Sequence, residues 1–171
     1  MGGFFIYNDM KEMKKMDEKW ILDACCGGRH MWIEKDFEEA VFMDIRSVES
    51  GTIELQPNWN VSPDIIASYL DMPFDDETFR LVIWDIPHAI NLKGIMGMKY
   101  GELGDKWKEE LPVGFAECMR VLKKQGVLIF KFNDVSISFK EILSLFPLKP
   151  IGFTPTKKGV NNTAFFVFVK C

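Results

Sequence analysis

Residues 20–28 read Trp20-Ile21-Leu22-Asp23-Ala24-Cys25-Cys26-Gly27-Gly28. A short apolar run ends on an acid and then meets paired glycines. This is the pattern of a buried strand entering a tight turn. The same grammar recurs downstream. Residues 40–43 form a second apolar run that stops at Asp44, and residues 79–84 form another that stops at Asp85. Three strands that each finish on a carboxylate place three acids at one edge of a sheet.

The rest of the chain alternates. A helix is expected over residues 8–19, where Met is mixed with Asp, Glu and Lys, and a second over residues 29–39. Residues 47–63 carry Gly51, Pro57, Asn58, Asn60 and Pro63 and read as loop, and residues 64–67 read as a short strand. Residues 73–78 form a polar turn. Residues 107–124 have helical spacing, with Phe115, Met119 and Leu122 on one face, until Gln125-Gly126 breaks the pattern. Residues 127–132 read as a strand, 138–146 as a helix, and 150–153 and 164–169 as two terminal strands. Lys157, Lys158, Gly159, Asn161 and Asn162 supply the turn of that hairpin. Strands alternating with helices imply an α/β fold. The expected form is a Rossmann-like, mostly parallel seven-stranded sheet with helices on both faces and a C-terminal antiparallel hairpin. Such sheets bind ligands at the carboxyl ends of their strands, where the three acids lie.

Length and composition narrow the classes. The 171 residues suit a single domain over 1–171, with an N-terminal helical segment at 1–19. Hydrophobic residues make up 47% and charged residues 27%, a globular balance. No apolar run reaches the roughly 20 residues a membrane helix needs, and the start lacks the order of a signal peptide, so a cytoplasmic protein without membrane contact is expected. The four cysteines, Cys25, Cys26, Cys118 and Cys171, lack zinc-ligand spacing and no metal site is expected; Cys25 and Cys26 read as small packing residues. A formal net charge of -4 argues against a broad grip on nucleic acid, which depends on Lys and Arg neutralising phosphates.

The acids have a chemistry. Gly27 and Gly28 let the backbone approach a ligand closely. Asp44 follows Asp23 by 21 residues and ends the next strand, the place where a carboxylate takes ribose hydroxyls and repels a 2′-phosphate. The dinucleotide pattern G-x-G-x-x-G is absent. A pyrophosphate wants this turn clear of acids, whereas Asp23 suits a cationic group. S-adenosyl-L-methionine carries an ammonium and a sulfonium, so charge favours it over NAD. An NAD-linked oxidoreductase and a non-catalytic nucleoside-binding module remain alternatives on the same sheet.

ILDACCGG resembles the first motif of the class I S-adenosylmethionine-dependent methyltransferases, an acid, a spacer and a glycine turn. Asp23 stands at the acid and Gly27 at the central glycine, with Ala24 and Cys25 between them; Cys25 and Arg29 stand where the fuller pattern has glycines. VFMDI is similar to the ribose motif, with Asp44 and Ile45. DMPFDDETFRLVIWD and ECMRVLKKQGVLIF are similar to two later family segments. Ser68 stands where many members carry an acid near the adenine, and Tyr69 follows it. The likeness runs from Trp20 to Lys170. Asp85-Ile86-Pro87-His88 resembles the DPPY motif of enzymes that methylate exocyclic or amide nitrogens. That resemblance implies Asp85 as amine acceptor, Pro87 as the residue fixing the turn, with the carbonyl of Ile86 or Pro87 as second acceptor, and His88 as the stacking residue. Ile86 replaces the motif's first proline and His88 its aromatic residue.

The function expected is therefore methyl transfer to an amino nitrogen of a nucleobase in DNA or RNA. The alternative acceptors are a small molecule and a protein amide. A duplex base would have to be flipped into the cleft, and with no room for a target-reading domain a DNA enzyme of this size would need a separate recognition subunit. Residues 86–106, with Pro87, Gly94, Gly97, Gly101 and Gly104, are long for a connection and read as a substrate loop or lid. Lys131 and Asn133, at the end of a strand, face either the cleft or solvent.

Overall fold

The computed structural model describes residues 19–154 and 162–171. The helix expected over residues 8–19, but for Lys19, and the turn residues Lys157, Lys158, Gly159 and Asn161 lie outside them.

The apolar runs are strands: β1 (Ile21–Asp23), β2 (Ala40–Asp44), β3 (Ile65–Ile66), β4 (Phe79–Asp85), β5 (Leu122–Asn133), β6 (Gly152–Phe153) and β7 (Thr163–Val169). They form one seven-stranded sheet in the order β3-β2-β1-β4-β5-β7-β6. The first five are parallel, and β7 runs antiparallel between β5 and β6. The mixed sheet with its antiparallel terminal hairpin is the α/β, Rossmann-like arrangement expected. The strand order reverses on the two sides of β1 and β4, which opens a crevice outside their carboxyl ends. Asp23 pairs with Ile83 and with Phe42, so Asp85 and Asp44 each stand two residues further along the same edge.

Side chains alternate between two faces. Leu22, Met43, Val82, Trp84, Leu128, Phe130, Phe166 and Phe168 share one face and one core. Cross-strand partners are matched there, as in Trp84 opposite Phe130 and Phe130 opposite Phe166. Among the described residues the helices are α1 (Gly94–Tyr100), α2 (Trp107–Val121) and α3 (Phe139–Leu143). Helix α2 lays Trp107, Leu111, Phe115, Cys118 and Val121 on this face, a stripe at helical spacing. Gly114 sits in that stripe because a Cβ there would stand 2.6 Å from the Tyr69 ring and 2.8 Å from the Trp84 ring. Helix α2 stops three residues before the expected end. Leu122 already pairs with Phe79 in the sheet, and Gln125, at φ 64°, turns the chain within β5.

The helix expected over residues 29–39 is absent. Gly27 and Arg29 hold φ values of 48° and 54°, a left-handed backbone that does not propagate into a right-handed helix. Only single turns follow, from the Arg29 N–H to the Cys26 carbonyl and from the Trp32 N–H to the Arg29 carbonyl. The Arg29 guanidinium lies 3.8 Å above the Phe42 ring and donates to the carbonyls of Lys35 and Ser62. Met31, Trp32 and Phe37 of this segment then pack on Ile21, Ala40, Phe42 and Ile83. Among the described residues the second face is thus covered here by turns rather than by the expected helix. No described helix is long and apolar enough to cross a membrane.

Candidate functional site

The carboxyl edge of β1, β2 and β4 opens into a cleft of about 970 Å³. Its walls bring together the candidate cofactor and catalytic residues: Asp23, Ala24, Cys25 and Gly27 from the first turn, Asp44 and Ile45 at the end of β2, Ser68 and Tyr69 after β3, and Asp85, Pro87 and His88 at the end of β4.

Two buried carboxylates organise one half. Asp23 is 2% exposed and Asp44 is 5% exposed. Asp23 Oδ2 accepts from the Trp32 indole N–H at 2.7 Å, and its Oδ1 accepts from the Cys25 N–H at 3.3 Å. Burial pushes the Asp23 carboxyl up to about 7, against the pull of the Trp32 hydrogen bond. Asp44 Oδ2 accepts from the Gly27 N–H at 2.9 Å, and its Oδ1 accepts from the Arg46 N–H at 2.9 Å. The acid of the second strand therefore holds the glycine turn of the first. The left-handed backbone at Gly27 aims that N–H, and no atom stands within 4 Å of where its Cβ would be. Ser68 Oγ accepts from the Leu70 N–H at 3.1 Å, and Tyr69 packs edge-on to Trp84. Burial drives the Cys25 thiol well above its usual range and the Cys26 thiol to about 12. Thiols so placed are packing groups rather than nucleophiles.

The other half centres on Asp85. Lys131 Nζ donates to Asp85 Oδ2 at 2.5 Å, and His88 Nε2 stands 3.4 Å from Asp85 Oδ1. Both carboxylate oxygens face a nitrogen. Burial first, and the Lys131 charge second, push His88 down to about 4, so its ring is neutral at ordinary pH. Burial also raises the Asp85 carboxyl, which Lys131 counteracts. His88 Nδ1 is buried and has no hydrogen-bond partner among the described residues, and the ring meets Phe132 edge-on.

The long connection is not structureless. It carries α1, none of whose residues is buried, and Leu92, Met96, Lys99 and Tyr100 of this stretch line the cleft. Three polar residues of the site carry no motif signal: Trp32 on Asp23, Arg46 beside Asp44, and Lys131 on Asp85. Lys131 had one sequence signal, its place at the end of a strand. Its partner is set by register, since Asp85 pairs directly with Lys131 across β4 and β5.

No family model matches the chain, and no curated protein matches it in sequence. Solved structures match in three dimensions. A TehB-like SAM-dependent methyltransferase from Corynebacterium glutamicum is 17% identical with a TM-score of 0.54, covering 90% of this chain and 81% of its own. Geranyl diphosphate C-methyltransferase from Streptomyces coelicolor, solved with S-adenosyl-L-homocysteine, is 13% identical with a TM-score of 0.55, covering 93% and 73%. The cyclase SpnF is 9% identical with a TM-score of 0.57, covering 95% and 78%. At these identities the likeness is one of fold, and the chain has the Rossmann-like α/β fold that the two methyltransferases and the cyclase share.

Proposed function

We propose that the chain is an S-adenosyl-L-methionine-dependent methyltransferase. The observation that carries this reading is the convergence of Asp23, Gly27 and Asp44 with Asp85 and His88 on one cleft. The residues fit the cofactor. Asp44 and the open space over Gly27 suit a ribose and its neighbouring chain, and the buried Asp23 carboxyl suits an ammonium, which would draw it back to the ionised form. Ala24, Cys25, Ile45, Ser68 and Tyr69 form the remaining wall. The cofactor supplies a methyl group activated by a sulfonium. The transfer is a displacement at carbon, so the chain's task is to place a nucleophile in line and to receive its proton. Small-molecule sites run from about 300 to 1,000 Å³, and a cleft near the upper bound has room for a cofactor and a small acceptor together.

The acceptor we infer is a small molecule. Of the cations lining the cleft, Lys131 and Arg46 are committed to Asp85 and Asp44, which leaves Lys99, over the Tyr100 ring, against the many that a phosphate backbone takes. Neutral His88, beside Asp85, is the group poised to take the acceptor's proton, and Pro87 fixes its approach. An amino nitrogen of a nucleobase is the second reading, favoured by the Asp85-Ile86-Pro87-His88 sequence. For it, Asp85 would have to accept from the amine while still holding Lys131. No separate recognition subunit is needed for the first reading.

Transfer of a labelled methyl group from S-adenosyl-L-methionine to pooled metabolites, RNA, DNA and peptides tests both. Label in the metabolite pool supports the first reading. Label in nucleic acid alone replaces it with the second, and no label in any pool, with no binding of S-adenosyl-L-homocysteine, removes the methyltransferase reading.

A further inference from the structure

Residues 91–102 leave the body and return to the same place. Ile90 bridges Leu103, and the Leu103 N–H donates to the Ala89 carbonyl at 2.9 Å. Between these feet, α1 buries no residue. It starts on Gly94 and is capped by Gly101, both with φ near 70°. It is therefore a roof over the cleft with pinned ends and little packing of its own, the kind of element drawn from the low-stability end of a fold.

Among the described residues, its hydrogen bonds to the body come from one side chain. Arg46 donates through Nη1 to the Met98 carbonyl at 3.0 Å and through Nη2 to the Lys99 carbonyl at 3.5 Å. These are carbonyls of the last turn of α1, where a cation also meets the negative end of the helix. The same guanidinium reaches Asp44 Oδ1 through Nε at 3.5 Å, and the Arg46 N–H holds that oxygen at 2.9 Å. The planar fork of an arginine can make these contacts at once, and a lysine ammonium cannot. On the inner side, a Cβ at Gly101 would lie 3.3 Å from Pro87 Cγ, so the roof rests against the residue that fixes the acceptor turn.

We infer that Arg46 is a latch that holds residues 91–102 closed over the cleft, so that its release sets how fast ligands enter and leave. Its role in ligand exchange rests on the methyltransferase reading, because Asp44 is the residue assigned to the ribose and the latch is anchored on it. Arg46 is a positioning residue; it acts through α1.

The test is amide hydrogen exchange on the ligand-free full chain, wild type against Arg46→Ala and Arg46→Lys, followed by stopped-flow binding of S-adenosyl-L-homocysteine read by tryptophan fluorescence. In both variants, exchange within residues 91–102 should quicken by about tenfold, the loss of two modest hydrogen bonds, while β4 and β5 stay protected. Association and dissociation of S-adenosyl-L-homocysteine should both quicken. Unchanged exchange at 91–102, or an equal rise across the sheet, overturns the latch. So does a normal roof in Arg46→Lys, since that variant retains only the charge. A wild-type chain that fails to bind S-adenosyl-L-homocysteine instead overturns the methyltransferase reading, and the ligand-free comparison still decides the latch.

Discussion

Lys131 holds Asp85 through a 2.5 Å contact between Nζ and Oδ2, made across directly paired positions of β4 and β5. The pair is partly buried, with side chains 21% and 22% exposed, so it is screened less than a surface pair. It also decides the state of the acceptor half. Burial raises the Asp85 carboxyl and the Lys131 charge opposes that rise; burial first, and the same charge second, lowers His88.

Removing that cation should separate chemistry from cofactor binding. In Lys131→Met, Asp85 loses its counter-charge and moves toward the protonated form. A protonated Asp85 no longer faces His88 Nε2 as an anion, the ring loses the group that orients it, and methyl transfer should fall by about 10²-fold, the scale of a misplaced general base. The affinity for S-adenosyl-L-homocysteine, measured by calorimetry, should hold, because Asp23, Gly27 and Asp44 are untouched. Loss of binding together with turnover would show that Lys131 shapes the cofactor half.

His88 sets a pH signature. Its folded value of about 4 lies below the ordinary 6.5. The unfolded chain therefore binds a proton that the folded chain refuses across that interval. The stability this contributes is complete above the ordinary value and is lost as pH falls toward about 4. In catalysis, kcat/KM should show no ionisation of this group between about pH 6 and 8. A histidine limb near its ordinary value, absent in His88→Gln, would contradict the neutral ring.

Asp23 has the opposite sign. Its folded value of about 7 lies above the unfolded 3.8. Between these limits the folded chain holds a proton that the unfolded chain has released, so this group's stabilisation is present at low pH and lost as pH rises through about 7. Asp23→Asn keeps an acceptor for Trp32, gives up the longer bond from the Cys25 N–H and removes the cost of a buried anion. Thermal denaturation at pH 8 should show the variant more stable by about 1–3 kcal/mol, with the gain shrinking near pH 4. Its binding of S-adenosyl-L-homocysteine should weaken, since the ammonium loses its carboxylate. A variant less stable at both pH values would contradict this account of the burial.

Gly114 links the core to the cleft. A methyl group there would press on Tyr69 and Trp84 at distances no Cβ tolerates. Gly114→Ala should cost about 1–3 kcal/mol in urea unfolding, the range of overpacked cores, despite alanine's better helix propensity. It should also weaken cofactor binding by displacing Tyr69 from the wall. A stabilised variant with unchanged binding would show that Tyr69 yields freely.

The sheet was legible in the sequence because each buried strand is a short apolar run, and three of those runs finish on Asp23, Asp44 and Asp85. Those acids share an edge through topology, which alternation of strands and helices already implies. The turn replacing a helix at residues 29–39 was not legible. Nothing in the composition marks Arg29 for a left-handed backbone, and its pull on Lys35 and Ser62 is tertiary. The early end of α2 was hidden for the same kind of reason, as pairing of Leu122 with Phe79 overrides local helix preference. Trp32, Arg46 and Lys131 escape motif reading because each owes its role to a partner brought near by the fold. Lys131 meets Asp85 only through strand register, and Arg46 meets Met98 and Lys99 only once the roof is folded.

Calorimetric titration of S-adenosyl-L-homocysteine into the wild-type chain and into Asp44→Ala tests the cofactor assignment most directly. One site per chain is expected in the wild type, with affinity reduced by at least about tenfold in Asp44→Ala, the loss of charged hydrogen bonds. Absence of binding in the wild type, with NAD binding in its place, would contradict it.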